Sequence, residues 1–222
     1  MRYFYIMLQQ HIFLGIVWII FCVLHSVLAN NRIKQKIALS FPHFFKYYRF
    51  SYTIFAFVSL ITVLIYQISI TSPLLYKPAE WLTIAGIGIT ITGTAIMLIC
   101  IKKYFLSLSG LKSLFANKVV ANELRTDGIH KYVRHPLYLG TFIFIWGGFL
   151  LFPLLSLLIS ISIITIYTLI GIRLEEEKLL SEFGEAYQNY RRQTPMIIPR
   201  LKPAKENKLF ASRVIDDKGK GW

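Results

Sequence analysis

Charged residues are absent from four long stretches of this chain, and this limits its possible folds more than any other feature. The stretches cover residues 3–31, 50–76, 81–101 and 135–172, and none contains Asp, Glu, Lys or Arg. A transmembrane helix needs about 20 mainly apolar residues, and even the shortest stretch has 21. We therefore predict an all-α integral membrane protein. The charged fraction of 16% agrees, because soluble domains contain about 25%.

The fourth stretch is too long for a single span, since its 38 residues would form a helix of roughly 57 Å. Pro153 lies near its middle and predicts a tight turn between two helices. Five spans are then predicted, at residues 12–29, 51–70, 81–101, 137–152 and 154–172. Beyond them, apolar residues recur at helical spacing at Leu180, Phe183, Tyr187 and Tyr190, which predicts an amphipathic C-terminal helix on the cytoplasmic side.

The basic residues are unevenly divided between the two sides of this predicted bundle. One side carries 23 of the 25 Lys and Arg, in the loops 30–50 and 102–136 and after residue 172. Cytoplasmic loops are enriched in these residues, so we expect the N-terminus outside and the C-terminus in the cytoplasm. The net charge of +14 follows from this asymmetry. No basic stretch is interleaved with stacking aromatic residues, so we predict no nucleic-acid partner.

The chain divides into three predicted parts. Residues 1–79, with spans 1 and 2, are interpreted as a membrane scaffold, residues 80–202 as the functional region, and residues 203–222 as a flexible polar tail. Small residues in span 3 favour close helix packing. His25, followed by Ser26 at the end of span 1, either lies near the lipid headgroups or lines a substrate cavity. With only two cysteines, both in apolar runs, no metal site is predicted.

Two polar clusters stand at the ends of the last two spans. Arg134 and His135 precede Pro136, which is well placed at the first position of a helix. Arg173 and the acidic residues 175–177 follow span 5. Because spans 4 and 5 form a hairpin, we expect the two clusters to be neighbours. The helix N-terminus beside Arg134 is a potential anion site.

These residues carry a resemblance to a known family. The run Arg134-His135-Pro136-Leu137-Tyr138-Leu139-Gly140, the later Arg173-x-Glu175-Glu176 and the aromatic pattern Phe183-Gly184-x-x-Tyr187-x-x-Tyr190 resemble the isoprenylcysteine carboxyl methyltransferase superfamily. That superfamily also includes phospholipid N-methyltransferases and bacterial membrane thiol methyltransferases. The segments 170–176 and 194–199 are most similar to the thiol S-methyltransferase branch.

The resemblance implies a membrane methyltransferase that uses S-adenosylmethionine. We expect it in a bacterial inner membrane, with its active site open to the cytoplasm. Residue by residue, it implies a cofactor site formed by Arg134, His135, Tyr138, Gly140, Glu175, Glu176 and Tyr187. It implies catalytic roles for Arg173 and Glu176. A third acid, Glu177, leaves open which carboxylate holds the cofactor, and we rank Glu176 first because it lies three residues from Arg173.

The acceptor is less constrained than the cofactor. We rank a small or lipophilic thiol first, a prenylcysteine-type carboxylate second and a lipid amine third, because the early spans contain no acidic residue that would attract a cation. His25 is a possible proton acceptor for a thiol. The alternative enzyme class is a membrane NADPH-dependent reductase of the sterol reductase type. The lipid bilayer is the other expected partner, and the sequence does not indicate an oligomeric state.

Overall fold

The computed structural model describes residues 2–43, 45–108 and 124–200 of the chain. This part is helical and contains an isolated bridge between Leu74 and Leu154 instead of a sheet. The helices are α1 (Arg2–Ala29), α2 (Asn31–Ser40), α3 (Phe45–Ser69), α4 (Glu80–Leu108), α5 (Pro136–Leu151), α6 (Leu155–Phe183) and α7 (Glu185–Gln193), with a short 3₁₀ turn at Gly128–Lys131 before α5. The predicted all-α class is confirmed, and the predicted tail at 203–222 lies outside the described residues.

Four of the described helices are long and apolar enough to cross a membrane. They are Arg2–Ala29, Phe50–Ser69, Glu80–Lys103 and Leu155–Phe183. Helix α5 is apolar but has only 16 residues, which give about 24 Å of helix against a hydrocarbon core of about 30 Å. Membrane character is thus borne out, whereas the count of five spans stays a prediction.

Helix α6 extends further than the sequence pattern predicted. It continues to Phe183 rather than ending near 172, because its charged last part consists mainly of Glu, Leu and Lys, which favour helices. Gly184 then interrupts it with a φ of 52°, a left-handed value that glycine adopts easily. The predicted apolar face from Leu180 to Tyr190 is therefore divided between α6 and α7.

The predicted turn at Pro153 is present, since α5 ends at Leu151 and α6 begins at Leu155. The loop between α3 and α4 closes over it, where the amide of Leu75 donates to the Pro153 carbonyl at 2.8 Å. However, α5 packs mainly against α4 and only sparsely against α6.

Glycines explain the close contact between α4 and α5. A Cβ on Gly93 would lie only 2.4 Å from the backbone nitrogen of Phe144, and one on Gly147 would lie 2.8 Å from the nitrogen of Thr90. A side chain at either position would clash with the neighbouring backbone. The prediction that small residues of span 3 support close packing is confirmed.

The remaining long helices, α1, α3 and α6, form a second packed group. Its core contains Leu14, Trp18 and Val63. Gln67 links the three helices, because its Oε1 accepts hydrogen bonds from Trp18 Nε1 at 3.1 Å and from Ser160 Oγ at 2.6 Å. The bundle thus consists of an α4–α5 pair and an α1–α3–α6 group. Both α5 and α6 place polar residues at the end of the bundle that carries Arg134, called here the Arg134 end.

Candidate functional site

The two polar clusters of the sequence meet at the Arg134 end. Arg134 lies just before α5, and Glu176 lies in α6. The Arg134 Nε donates to Glu176 Oε1 at 2.7 Å, and Nη2 lies 2.5 Å from the same oxygen. The two side chains are only 7% and 8% exposed. The predicted proximity of the clusters is confirmed, and it takes the form of a buried ion pair.

The backbone around Arg134 is held by a segment that follows α7. The amide of Arg134 donates to the Pro195 carbonyl at 2.9 Å, and that of His135 donates to the Met196 carbonyl at 3.2 Å. The amide of Arg200 donates in turn to the Tyr132 carbonyl at 3.2 Å. Residues 194–200 therefore run beside the loop before α5, and do more than terminate a helix.

The guanidinium of Arg134 is occupied largely by protein groups. Its Nη1 donates to the carbonyls of Arg191, at 3.0 Å, and Thr194. Together with the bonds to Glu176, these contacts use most of its five N–H groups. Arg134 thus ties the start of α5 to α6 and to the end of α7, and little of it is left for a ligand.

Glu176 is the common partner of three side chains. Besides Arg134, its Oε1 lies 3.2 Å from Nε2 of His135, and its Oε2 lies 3.5 Å from Nε of Arg191. A buried carboxylate is stable only when it is paired, and here donors surround it. The sequence interpretation missed Arg191, although its place in the last turn of an amphipathic helix next to the closing prolines was a usable signal.

Glu175 faces a different environment from Glu176. Its side chain is 44% exposed and lines an open cavity of about 130 Å³ together with Arg134, His135 and Tyr187. The rest of the wall consists of Leu124, Arg125, His130, Leu179, Phe183 and Tyr190. Tyr138 lies within electrostatic reach of Glu175, and its ring centre is 5.8 Å from that of His135. The cavity thus combines one accessible carboxylate with basic side chains and with aromatic and apolar walls.

These residues fit an S-adenosylmethionine site. The Tyr187 side chain is 1% exposed, yet its hydroxyl has no hydrogen-bond partner among the described residues. Burial and the nearby Glu176 carboxylate raise the pKa of Tyr187 to about 12, so the phenol stays neutral and can donate. The described walls enclose less than the roughly 300–1,000 Å³ usual for small-molecule pockets, and residues 109–123, which precede Leu124, lie outside the described residues.

Most of the chain matches a known protein family. The family model described as "Protein of unknown function (DUF1295)" matches residues 12–194 of the chain. The chain belongs to the DUF1295 family. Named relatives extend this finding, because they bear out the membership in the isoprenylcysteine carboxyl methyltransferase-like superfamily that the sequence predicted.

Three relatives illustrate the similarity of this DUF1295 protein. It is 44% identical over 79 residues to the methanethiol S-methyltransferase of Crocosphaera subtropica, covering 35% of this chain and 29% of the relative. It is 29% identical over 200 residues to methanethiol S-methyltransferase 1 of Bradyrhizobium diazoefficiens, covering 81% and 64%. It is 42% identical over 77 residues to the protein-S-isoprenylcysteine O-methyltransferase of Schizosaccharomyces pombe, covering 34% and 33%. Each match therefore spans less than two thirds of the relative's length. No solved structure matches the chain.

Three residues named from the sequence lie outside the cluster of this DUF1295 protein. Arg173 and Glu177 are exposed on α6, and Arg173 forms no ion pair with Glu176 within the described residues. Gly140 is buried in the α4–α5 contact, where a Cβ would lie 3.0 Å from Met97 Cγ. The structure gives Gly140 a packing role, and the predicted roles of Arg173 and Gly140 toward substrate and cofactor stay predictions.

His130 is a further cavity residue that the sequence interpretation did not select. Its Nδ1 lies 3.1 Å from the Arg134 carbonyl, and its own carbonyl accepts from the Tyr190 hydroxyl at 2.8 Å. Burial lowers the pKa of His130, so the ring is neutral near pH 7. Nearby, Lys103 of α4 pairs with Asp127 at 2.9 Å and lowers the pKa of that carboxyl. No group of three or more metal-ligating side chains occurs in the described ranges.

Proposed function

We propose that this protein is a membrane-embedded S-adenosylmethionine-dependent methyltransferase whose first acceptor class is a small or lipophilic thiol. The observation that carries the proposal is the buried contact of Arg134 and His135 with Glu176, which assembles both family motifs on one wall of a cavity. The motifs are 42 residues apart in the chain. The relatives named as methyltransferases support the reaction class.

The proposed cofactor contacts come from Glu175 and Tyr187, which line the cavity, and from Tyr138 beside the lining residue His135. The accessible Glu175 carboxylate would accept hydrogen bonds from an amino group or ribose hydroxyls, and the neutral Tyr187 hydroxyl would donate one. The aromatic faces of Tyr138 and Tyr187 would attract a positively charged sulfonium. When bound, S-adenosylmethionine supplies an activated methyl group, so the chain's main task is to hold two partners in line.

Glu176 is proposed to act through its neighbours. Its two oxygens are already engaged by Arg134, His135 and Arg191, so it fixes the loop that forms the cavity wall. This differs from the ranking based on sequence alone, in which Glu176 was first for direct contact. In our proposal Glu175 contacts the cofactor and Glu176 is a positioning residue.

The acceptor ranking follows from charge. No Asp or Glu precedes Glu80 in the chain, so α1 and α3 offer no carboxylate to attract a cationic amine. Relatives named as methanethiol S-methyltransferases favour a thiol, and the yeast relative named as an isoprenylcysteine O-methyltransferase supports a carboxylate as the second choice. An amine acceptor is third.

The proposed orientation places the Arg134 end in the cytoplasm and the N-terminus outside, in a bacterial inner membrane. It rests on the unequal division of Lys and Arg between the two sides. A reporter that is active only in the cytoplasm should be active when it is fused after residue 205. A reporter that is active only outside the cytoplasm should be inactive at the same position. Extracytoplasmic activity there would contradict both the orientation and the cytoplasmic supply of cofactor.

The decisive experiment measures binding before turnover. Purified protein in detergent should bind labelled S-adenosylmethionine and not NADPH, whereas the reverse result would favour the reductase alternative. Methylation is then assayed with a short alkyl thiol, a farnesylated cysteine derivative and phosphatidylethanolamine. Turnover of the lipid amine alone would refute the acceptor ranking.

A further inference from the structure

A second polar cluster lies between α1, α3 and α6 near the Arg134 end. The Tyr52 hydroxyl of α3 lies 3.0 Å from Nε2 of His25, and the two ring centres are 5.4 Å apart. One residue further along α1, Ser26 Oγ donates to the Tyr167 hydroxyl of α6 at 3.0 Å. We call His25, Ser26, Tyr52 and Tyr167 the His25 cluster.

Tyr138 connects the His25 cluster to the proposed cofactor cavity. It is in the first turn of α5, with its ring centre 5.8 Å from that of the cavity residue His135. It is also near enough to Glu175, Tyr167 and Tyr52 for their charges to act on its hydroxyl. Tyr167 precedes Glu175 by eight residues on α6, about 12 Å along the helix. A molecule bound at the His25 cluster would therefore be close to one bound at Glu175.

The other histidine of α1 shows what a purely structural histidine looks like in this protein. His11 is 4% exposed, and its two ring nitrogens have separate partners, the Met7 carbonyl at 2.7 Å and Ser72 Oγ at 3.0 Å. His25 is only partly buried. Both of its ring nitrogens have the same hydrogen-bond partner within the described residues, the hydroxyl of Tyr52. A single hydroxyl can bond to only one of these nitrogens at a time, so the other has no hydrogen bond within the described residues.

We propose that His25 is the general base that removes the proton from the acceptor thiol, and that Tyr52 is the positioning residue that holds its ring. The thiol would bind between the His25 cluster and Tyr138. This inference rests on the proposed function and names the acceptor half of the same site.

The proposed step balances as follows. The S–H bond of the thiol breaks and its proton passes to the free nitrogen of His25, which becomes an imidazolium. The sulfur electron pair forms the new S–CH₃ bond, while the bond between that methyl group and the cofactor sulfur breaks and its electrons stay on the cofactor sulfur. The proton then leaves His25 for water. A base is useful because an alkyl thiol, with a pKa of about 8.5 or higher, is mostly protonated at neutral pH.

The surroundings of His25 offer no competing base among the described side chains that contact it. Tyr52 approaches from α3, Tyr167 from α6 and Phe21 from its own helix. The phenols are too weakly acidic to ionise at neutral pH. The rate with an alkyl thiol should thus rise with pH as the imidazole of His25 loses its proton. It should level off once the imidazole is fully neutral.

The test compares two thiols of different acidity in wild-type protein and His25→Gln. An alkyl thiol needs the base, whereas an arenethiol is already largely ionised at pH 8. We expect His25→Gln to lower kcat/KM for the alkyl thiol about a hundredfold, within the range for general bases, and that for the arenethiol less than about threefold. Tyr52→Phe should show the same selective loss to a smaller degree.

Tyr66→Phe is the matched control on the same helix. Tyr66 donates to the Gln10 carbonyl at 3.2 Å and lies 14 residues beyond Tyr52, about 21 Å along α3. The kcat/KM of this variant for each thiol should equal that of the wild type. All variants should bind S-adenosylmethionine within about twofold of wild type, which separates a failure of the base from a failure of the cofactor site.

A second readout needs no turnover. In cofactor-free protein with ¹³C-labelled histidine, the His25 signal is identified by its absence in His25→Gln. It should shift when the alkyl thiol is added, and the His11 signal should not. Equal losses for both thiols, or an unmoved His25 signal, would overturn the proposal. A wild type that binds the cofactor but methylates only amines or carboxylates would refute both this inference and the thiol assignment.

Discussion

Replacing Glu176 by Gln would remove the negative charge at the centre of the Arg134 cluster. The ion pair joins side chains that are 7% and 8% exposed, with Arg134 Nη2 2.5 Å from the carboxylate. Leaving one member of a buried pair without its partner costs about 3–5 kcal/mol. The amide oxygen of Gln could still accept one hydrogen bond, which would offset about 1 kcal/mol. We therefore expect a loss of about 2–4 kcal/mol in the free energy of unfolding.

Thermal unfolding in detergent measures this loss. For chains of 150–250 residues, 1 kcal/mol corresponds to about 2–4 °C in Tm, so Glu176→Gln should melt roughly 4–16 °C below wild type. Glu177→Gln is the matched control, because Glu177 is exposed one residue along the same helix and surface changes stay within about 0.5 kcal/mol. Because Glu176 holds the cavity wall through Arg134 and His135, cofactor binding should also weaken in Glu176→Gln and stay unchanged in Glu177→Gln.

A double-mutant cycle tests whether the pair itself is responsible. Arg134→Gln combined with Glu176→Gln leaves neither charge unpaired, so the double variant should be less destabilised than the sum of the two single variants by about 1–3 kcal/mol. Additive losses, or equal effects of Glu176→Gln and Glu177→Gln, would refute the assignment of Glu176 as the centre of the cluster.

Three further predictions concern other parts of the protein. Glu175→Gln should weaken S-adenosylmethionine binding about tenfold or more, with little change in Tm because its carboxylate is half exposed in the cavity. Calorimetric titration measures the binding, and thermal melting measures the stability. Gly93→Ala should lower the Tm, because its Cβ would lie 2.4 Å from a backbone nitrogen, whereas Gly88→Ala, with nothing within 4 Å, should not. Burial lowers the pKa of His130 below its ordinary 6.5, so the unfolded chain takes up a proton at this residue before the folded chain does. Stability should therefore fall as the pH drops below about 6.5. Melting curves of His130→Gln should lack this part of the pH dependence.

The class of fold could be predicted because the bilayer restricts it so strongly. Charge-free stretches longer than 20 residues have few alternatives to membrane helices, and Pro153 marked the turn between α5 and α6. The contact between Arg134 and Glu176 followed from that hairpin, since both residues stand at its open end. These predictions needed only the order of elements along the chain.

Other features depended on which helices pack against each other, and no local sequence pattern specifies that packing. Helix α5 packs against α4 because Gly93 and Gly147 permit backbone contact, and a hairpin argument cannot reveal it. The pairing of residues 194–200 with the loop before α5 joins two irregular segments that have no periodic pattern. Arg173 was placed beside Glu176 by its spacing of three, yet it is exposed because the neighbours of α6 lie on its other sides.

The position of the acidic residues on α6 explains why one motif can contain both a structural and a ligand-binding carboxylate. Consecutive residues on a helix point about 100° apart, so Glu175 and Glu176 cannot face the same environment. Ile172, four residues before Glu176, is fully buried, which places Glu176 on the packed side of α6, where Arg134 neutralises it. Glu175 is turned toward the cavity, and Glu177, rotated a further 100° from Glu176, is exposed.

An exchange of function between adjacent acids would require α6 to rotate by about 100°, which would move Ile172 out of the packed interior. We therefore expect that the native Glu177 cannot replace a carboxylate lost at 175. The Glu175→Gln variant should stay deficient in cofactor binding at every ionic strength tested.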